Sequence, residues 1–293
     1  MAVAHMQQRS SSPRRRRINP QRASTYSLGL GGGIVWLAVV AAPLAFAVFE
    51  TFKSQADAMS SPAWSLTNPT LDNYRTALTG QFFRYFLNSV ITSVGAVLLS
   101  LLVGSLAAYA LARIPGRLNG FLYMVFVAGL AVPVYAVIVA TYRISISVGL
   151  YDTLIGLLLP LAGTSLPITV FILAAFMRSI PEELELAMSI DGAGYFRRYF
   201  QLALPLARPA LGTVAIFTFI GDWNNFIFPL ILETTDSNRT LPLAVSEYQG
   251  EYSSNMPMVL TVVVLSALPL VIFYLLQRRN FIRGLTMGAL SAE

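Results

Sequence analysis

The chain has no cysteine, a single histidine (His5) and a single lysine (Lys53). The missing cysteines exclude disulfides, thiol chemistry and cysteine metal sites. The one histidine lies in a polar tail, so no histidine cluster can bind a metal and no Ser-His or Cys-His pair can form in the apolar body. The one lysine stands in Phe52-Lys53-Ser54 with no glycine-rich approach, so the Gly-x-x-x-x-Gly-Lys-Ser/Thr phosphate loop is missing. By that route the chain binds no ATP itself. An enzyme needing a metal, a thiolate or a histidine base has nothing here to build on.

Charge is scarce as well. Charged residues are 12% of the chain, where a soluble domain carries about 25%. Hydrophobic residues are 55%. What is abundant is long uncharged runs, in six windows: 28–50, 86–112, 121–141, 154–176, 210–232 and 257–277. A spanning helix needs roughly 20 apolar residues, and lipid forces each backbone group to pair within its own segment. The windows predict an all-α, multi-pass membrane protein with six transmembrane helices.

The basic residues orient it. With the N-terminus inside, fifteen of the 20 basic residues fall on cytosolic segments, among them Arg14–Arg17, Arg113, Arg178, Arg208 and Arg278. Lys53, Arg75, Arg84, Arg143 and Arg239 fall outside. The excess of arginine on cytosolic loops places both termini in the cytosol. Residues 1–27 read as a disordered arginine-rich tail, 28–277 as the six-helix domain and 278–293 as a second cytosolic tail. Arg14–Arg17 ahead of an apolar run and Ala45-Phe46-Ala47 also resembles a secretory signal, but the run is long for one and five more spans come after it.

Proline interrupts two spans. Pro133 breaks the third, and residues 142–153 after it read as a short helix along the surface. The fourth carries Pro160 and Pro167, which either kink it or line a path.

The loop between the fourth and fifth spans, residues 178–209, carries the most information. Pro181 suits a first helical position and Glu182, Glu183 and Glu185 complement the positive end of that helix. Leu184, Ala187 and Met188 share a face. Gly192 breaks the helix and Asp191 caps the next one. A second short helix sets Tyr195, Phe196, Tyr199 and Phe200 against Arg197 and Arg198, and Pro205 and Pro209 close the loop. This helix–turn–helix has apolar residues and no bilayer to bury them. They fit a groove in a partner or fold back on the chain's own helix ends.

Asp191-Gly192-Ala193, Tyr199 and Leu204-Pro205 with Pro209 resemble the cytosolic loop motif of binding-protein-dependent ABC importer permeases. Leu186-Ala187-Met188 stands where that motif has Glu-Ala-Ala, with Glu185 one residue earlier. The resemblance extends to Asn88-Ser89, to Ala107-Ala108-Tyr109-Ala110-Leu111-Ala112-Arg113, to Asp222-Trp223-Asn224-Asn225-Phe226 and to residues 277–289. It is similar to the carbohydrate-uptake branch, and within it to the shorter membrane subunit of maltose-type transporters. The resemblance implies a permease subunit forming half of a sugar pathway in a bacterial inner membrane. Glu185, Ala187, Met188, Asp191, Gly192, Ala193, Tyr199 and Pro205 would form the ATPase-coupling loop. The implied partners are two cytosolic ABC ATPase subunits carrying ATP and Mg, an extracytoplasmic solute-binding protein and a homologous second permease completing a heterodimer. No cofactor would sit on this chain and nucleic acid is not a partner.

Asp222 lies twelve residues into the fifth window, roughly 18 Å along a helix and past the midplane of a core about 30 Å thick. A charge there marks a functional position by default. Asp222, Asn224 and Asn225 suit sugar hydroxyls, and Trp223 or Phe226 can stack on a sugar ring. The alternatives are a structural hydrogen bond or a position already in water. An ion-coupled secondary transporter of a small polar solute is the competing function. It would need a coupling-ion site and often an internal repeat, and neither is evident.

Overall fold

A computed structural model describes residues 20–247 and 255–290, and every regular element among them is helical. The expected tail over residues 1–27 falls outside the described residues up to position 19; from Pro20 the chain is already helix. The body of α1 (Pro20–Glu50) forms a unit of its own up to Ala47, with Leu30, Trp36 and Leu37 exposed along it. Residues from Val48 onward form the second unit.

That second unit opens with α2 (Gln55–Ser60) and α3 (Asp72–Thr79). This stretch is polar in sequence yet tightly built. Glu50 and Lys53 form a buried ion pair at 2.6 Å, and Lys53 Nζ also donates to the Pro62 and Ala63 carbonyls. Asn73 Nδ2 donates to the carbonyls of Thr51 and Lys53.

The centre of the unit is α4 (Phe82–Arg113) against α7 (Leu154–Ser179), with α5 (Arg117–Gly129) and α6 (Val134–Ser147) between them in sequence. Small residues let α4 and α7 approach closely, as in membrane packing generally. Ser93, Ala96, Ser100 and Ala108 of α4 and Ala162, Ser165, Thr169 and Ala174 of α7 are buried. A Cβ on Gly104 would collide with the Thr169 side chain, and one on Gly95 with Leu158.

The third predicted span is bent by 101° between α5 and α6. Pro133 lacks an N–H, so the helix ends in short-range bonds: Leu130 to Val127, Ala131 to Ala128 and Val132 to Gly129. After the bend the chain is helical over residues 134–147, so the first half of the expected surface helix over 142–153 belongs to α6 and residues 148–153 are turn. Pro160 and Pro167 do not break α7. Gly129 packs on the Pro167 ring, where a Cβ would come within 2.9 Å.

The loop after α7 contains α8 (Glu182–Ile190), α9 (Tyr195–Arg198), a π-turn over Tyr199–Ala203 and α10 (Leu204–Leu206). The fifth predicted span, 210–232, is not one helix. It is α11 (Arg208–Trp223) and α12 (Ile227–Leu232), separated at Asn224, Asn225 and Phe226. The chain ends in α13 (Leu241–Glu247) and α14 (Met256–Leu290); α14 continues through most of the segment expected as a C-terminal tail. Among the described residues, four helices are long and apolar enough to cross a membrane, and up to six if two bent pairs, α5 with α6 and Tyr195–Leu206 with α11 (73°), each count as one.

Candidate functional site

The loop between α7 and α11 is ordered by local rules. Glu182, Glu183 and Glu185 occupy the first turn of α8, where the helix dipole favours acids. Pro181 sits one position earlier than expected, at the N-cap. The helix closes in a Schellman turn: Gly192 N–H donates to the Ser189 carbonyl at 3.0 Å and Ala193 N–H to the Met188 carbonyl at 2.9 Å. Gly192 takes φ +77°, a conformation that strains any residue with a side chain. Asp191 is the C-cap of α8 and does not cap the next helix; α9 starts after Gly194 without a side-chain cap. The π-turn arises where Leu204 N–H reaches back to the Tyr199 carbonyl, just ahead of Pro205.

Two faces result. Glu185, only 4% exposed, lies inward with Ala193 and Tyr199. Its Oε2 accepts a hydrogen bond from the Tyr109 hydroxyl at 3.1 Å and lies 3.5 Å from Arg198 Nη1, while Oε1 is 3.7 Å from Arg113 Nε. Arg113 Nη2 donates to the Met177 carbonyl at 2.6 Å and to that of Ile180. Tyr199 shares a 2.8 Å hydrogen bond with Ser105, and its ring centroid is 5.4 Å from that of Tyr109. Of the residues expected to form the coupling loop, Glu185, Ala193 and Tyr199 are turned into the chain. Ala187, Asp191 and Gly192 are exposed; Met188 and Pro205 are half-buried.

The outward face is apolar. Ile190 is 87% exposed and Phe196 75%, with Leu186 and Phe200 exposed beside them. Sequence reasoning missed Ile190 and Ser105, and it placed Tyr109 and Arg113 in the family resemblance without their role as anchors. A signal was available: Ser105, Tyr109 and Arg113 recur every four residues, a polar stripe on one face of an apolar helix.

The predicted polar cluster is brought to the break between α11 and α12 but divided there. Asp222 is buried; its Oδ1 accepts from Ser165 Oγ of α7 at 3.2 Å, and its Oδ2 has no partner. Trp223 is core, with Nε1 donating to the Ser266 carbonyl at 3.1 Å. Asn225 Oδ1 accepts the Phe228 N–H at 3.1 Å and so holds the start of α12. Asn224 and Phe226 are exposed. Both amides thus make structural hydrogen bonds, Asn225 with the Phe228 N–H and Asn224 Nδ2 with the Ile220 carbonyl at 2.8 Å, while Asn224 and Phe226 also keep exposed surface.

At the other end of α7, Asp152 joins two segments. It has φ +57° and its carboxylate accepts from the Thr234 and Thr235 N–H groups, the Thr235 hydroxyl and Asn238. Partial burial opposes its charge, but these donors outweigh that and hold the carboxyl at about 2. Glu233, next to this junction, is 3% exposed, with only the Thr240 backbone to offset the burial of its charge. Burial first, and the Asp152 charge second, push its carboxyl up to about 8. Among the described residues no group of three His, Cys, Asp or Glu is placed to hold a metal ion.

Closely packed apolar helices, long enough in four cases to cross a membrane, define a polytopic membrane protein. Residues 100–281 match the family described as binding-protein-dependent transport system inner membrane component, and the chain belongs to that family. It is 35% identical over 260 residues to the diacetylchitobiose uptake system permease protein NgcG of Streptomyces coelicolor, covering 87% of this chain and 85% of that one. It is 32% identical over 270 residues to the trehalose/maltose transport system permease protein MalG of Thermococcus litoralis, covering 89% and 95%. The fold matches a crystal structure of a bacterial ABC transporter involved in the import of the acidic polysaccharide alginate, at TM-score 0.77 and 19% identity over 90% of this chain and 99% of that chain. The protein is therefore a permease subunit of an ABC importer, a transmembrane component and not the ATP-hydrolysing one. Family membership decides against the ion-coupled alternative.

Proposed function

We propose that this chain forms half of the translocation pathway for a sugar or short oligosaccharide, and that the loop over residues 178–209 couples it to a separate ATPase. In this reading the chain makes six spans in a bacterial cytoplasmic membrane, with the loop, residues 1–27 and residues 278–293 in the cytosol. The observation that carries the coupling is the outward face of the loop: Ile190 and Phe196 are held clear of the chain by a well-anchored inner face. Large exposed apolar side chains on a rigid knob mark a protein contact. The family and the missing phosphate loop support an ATPase on a partner chain, with its ATP and Mg. Sugar as the cargo is supported by relatives named for diacetylchitobiose and for trehalose and maltose, and by the amides and aromatic ring at the break in α11–α12. An extracytoplasmic binding protein would deliver it and a homologous second permease would supply the other half of the path.

The test is co-purification. Ile190→Asp or deletion of residues 181–204 should release the ATPase subunits from the purified complex while the permease remains in the membrane. Uptake of labelled diacetylchitobiose, trehalose and maltose identifies the cargo class. Stable sugar transport with no ATPase present would overturn the reading.

A further inference from the structure

The charge cluster on the inner face of the loop has a different job from the apolar outer face. Glu185 of α8 lies between Tyr109 and Arg113 of α4 and Arg198 of α9. Arg113 also binds the Met177 and Ile180 carbonyls at the end of α7, groups that a helix terminus leaves unpaired. One carboxylate therefore links α4, α8 and α9 directly and α7 through Arg113. A helix of nine residues such as α8 does not hold itself in place in water, so its orientation comes from these contacts. The cluster holds two guanidinium groups and one carboxylate, and the three side chains are at least 87% buried. Removing the carboxylate leaves two buried cations uncompensated, the costly way to break a buried pair.

We propose that Glu185 is a positioning residue that makes the loop one rigid piece with α4 and α7, so that a push on Ile190 and Phe196 moves the spans instead of bending the loop. The proposal rests on the loop being the ATPase-coupling element. The Glu185 carboxylate faces inward, against Tyr109, Arg113 and Arg198 of its own chain.

The experiment compares Glu185→Gln, Arg113→Gln and Ile190→Asp in the full complex, purified and reconstituted in liposomes. Glu185→Gln keeps the Tyr109 contact and the outer face. The ATPase subunits should co-purify at the unmodified ratio and ATP hydrolysis should continue. Maltose, trehalose or diacetylchitobiose moved per ATP should fall at least about tenfold, and amide exchange over residues 182–194 should quicken at least about tenfold, with α4 and α7 unchanged away from the cluster. Arg113→Gln should give the same split. Restoring the pair with the charges exchanged, Glu185→Arg with Arg198→Glu, should recover part of the transport that Glu185→Arg alone loses. Unchanged exchange and transport in Glu185→Gln would overturn the positioning role. Loss of the ATPase from Glu185→Gln, as expected of Ile190→Asp, would overturn it too, by making Glu185 a contact residue. If Ile190→Asp and loop deletion both retain the ATPase, the coupling reading fails, and the exchange data still decide the clamp.

Discussion

The hydroxyls of Tyr199 and Ser105 lie 2.8 Å apart inside the chain, joining the π-turn of the loop to α4. Ser105 keeps a second partner in the Leu102 carbonyl, so loss of the tyrosine hydroxyl removes one bond without orphaning the serine. Tyr199→Phe should cost about 1 kcal/mol, and thermal unfolding of the detergent-solubilised complex should fall by roughly 2–4 °C. Adding Ser105→Ala to Tyr199→Phe should cost little more. A double variant as unstable as the two single losses summed would show that the hydroxyls act independently.

The contact of α4 with α7 gives a second prediction. Gly104 faces Thr169 with no space for a Cβ, whereas Gly120 on α5 has nothing nearby. Gly104→Leu overpacks the helix pair and should destabilise it by about 1–3 kcal/mol or more, read as loss of folded protein in detergent unfolding. Thr169→Ala should restore part of that loss. Gly120→Leu should leave the isolated chain unaffected. Equal behaviour of the two glycine variants would mean that the α4–α7 approach is not close.

Glu233 predicts a pH dependence. Its folded-state carboxyl sits at about 8, above the ordinary value of 4.5. The folded chain therefore holds a proton that the unfolded chain has released, and stability falls as pH rises. The contribution is fully present below about 4.5 and is lost as pH passes through about 8. Asp152 runs the other way: its contribution stands above 3.8 and is lost only as pH drops toward about 2. Unfolding midpoints measured between about pH 5 and 9 should decline, and Glu233→Gln should flatten that decline. A decline that survives in Glu233→Gln would assign it to another group.

Much of the molecule was legible because lipid makes apolar length informative. The windows at 86–112 and 154–176 recover α4 and α7, and Pro133 marks the bend in the third span, because a missing N–H is visible in the sequence. The break in the fifth span was not legible as a break. Asp222 through Asn225 read as polar residues on a continuous helix; only the structure shows Asn225 capping a new one. In the loop, Gly192 was readable from backbone chemistry, and Pro181 to within one position. The direction of Glu185 was not, because the turn that swings it inward depends on Tyr109 and Arg113, more than seventy residues earlier. The same rotation that hides Glu185 exposes Ile190.

Asp222 and Ser165 carry the final prediction. Ser165 Oγ donates to one oxygen of a buried carboxyl whose other oxygen has no partner, and leaving a further buried acceptor unmet costs about 1–3 kcal/mol. Ser165→Ala should therefore lower both stability and uptake, whereas Asp222→Asn, which retains an acceptor for Ser165, should stay folded. Asn225 separates structure from transport at the same break. Asn225→Asp keeps the acceptor for the Phe228 N–H and should preserve uptake, while Asn225→Leu loses it and should lower uptake in a complex that still assembles. Phe226→Ala removes an exposed ring, and Asn224→Leu removes an exposed amide whose one bond, to the Ile220 carbonyl, lies at the surface, so in the sugar-pathway reading both should reduce uptake with unfolding midpoints little changed. Normal uptake in both would confine the break at residues 224–226 to a structural role and move the sugar path elsewhere in the chain.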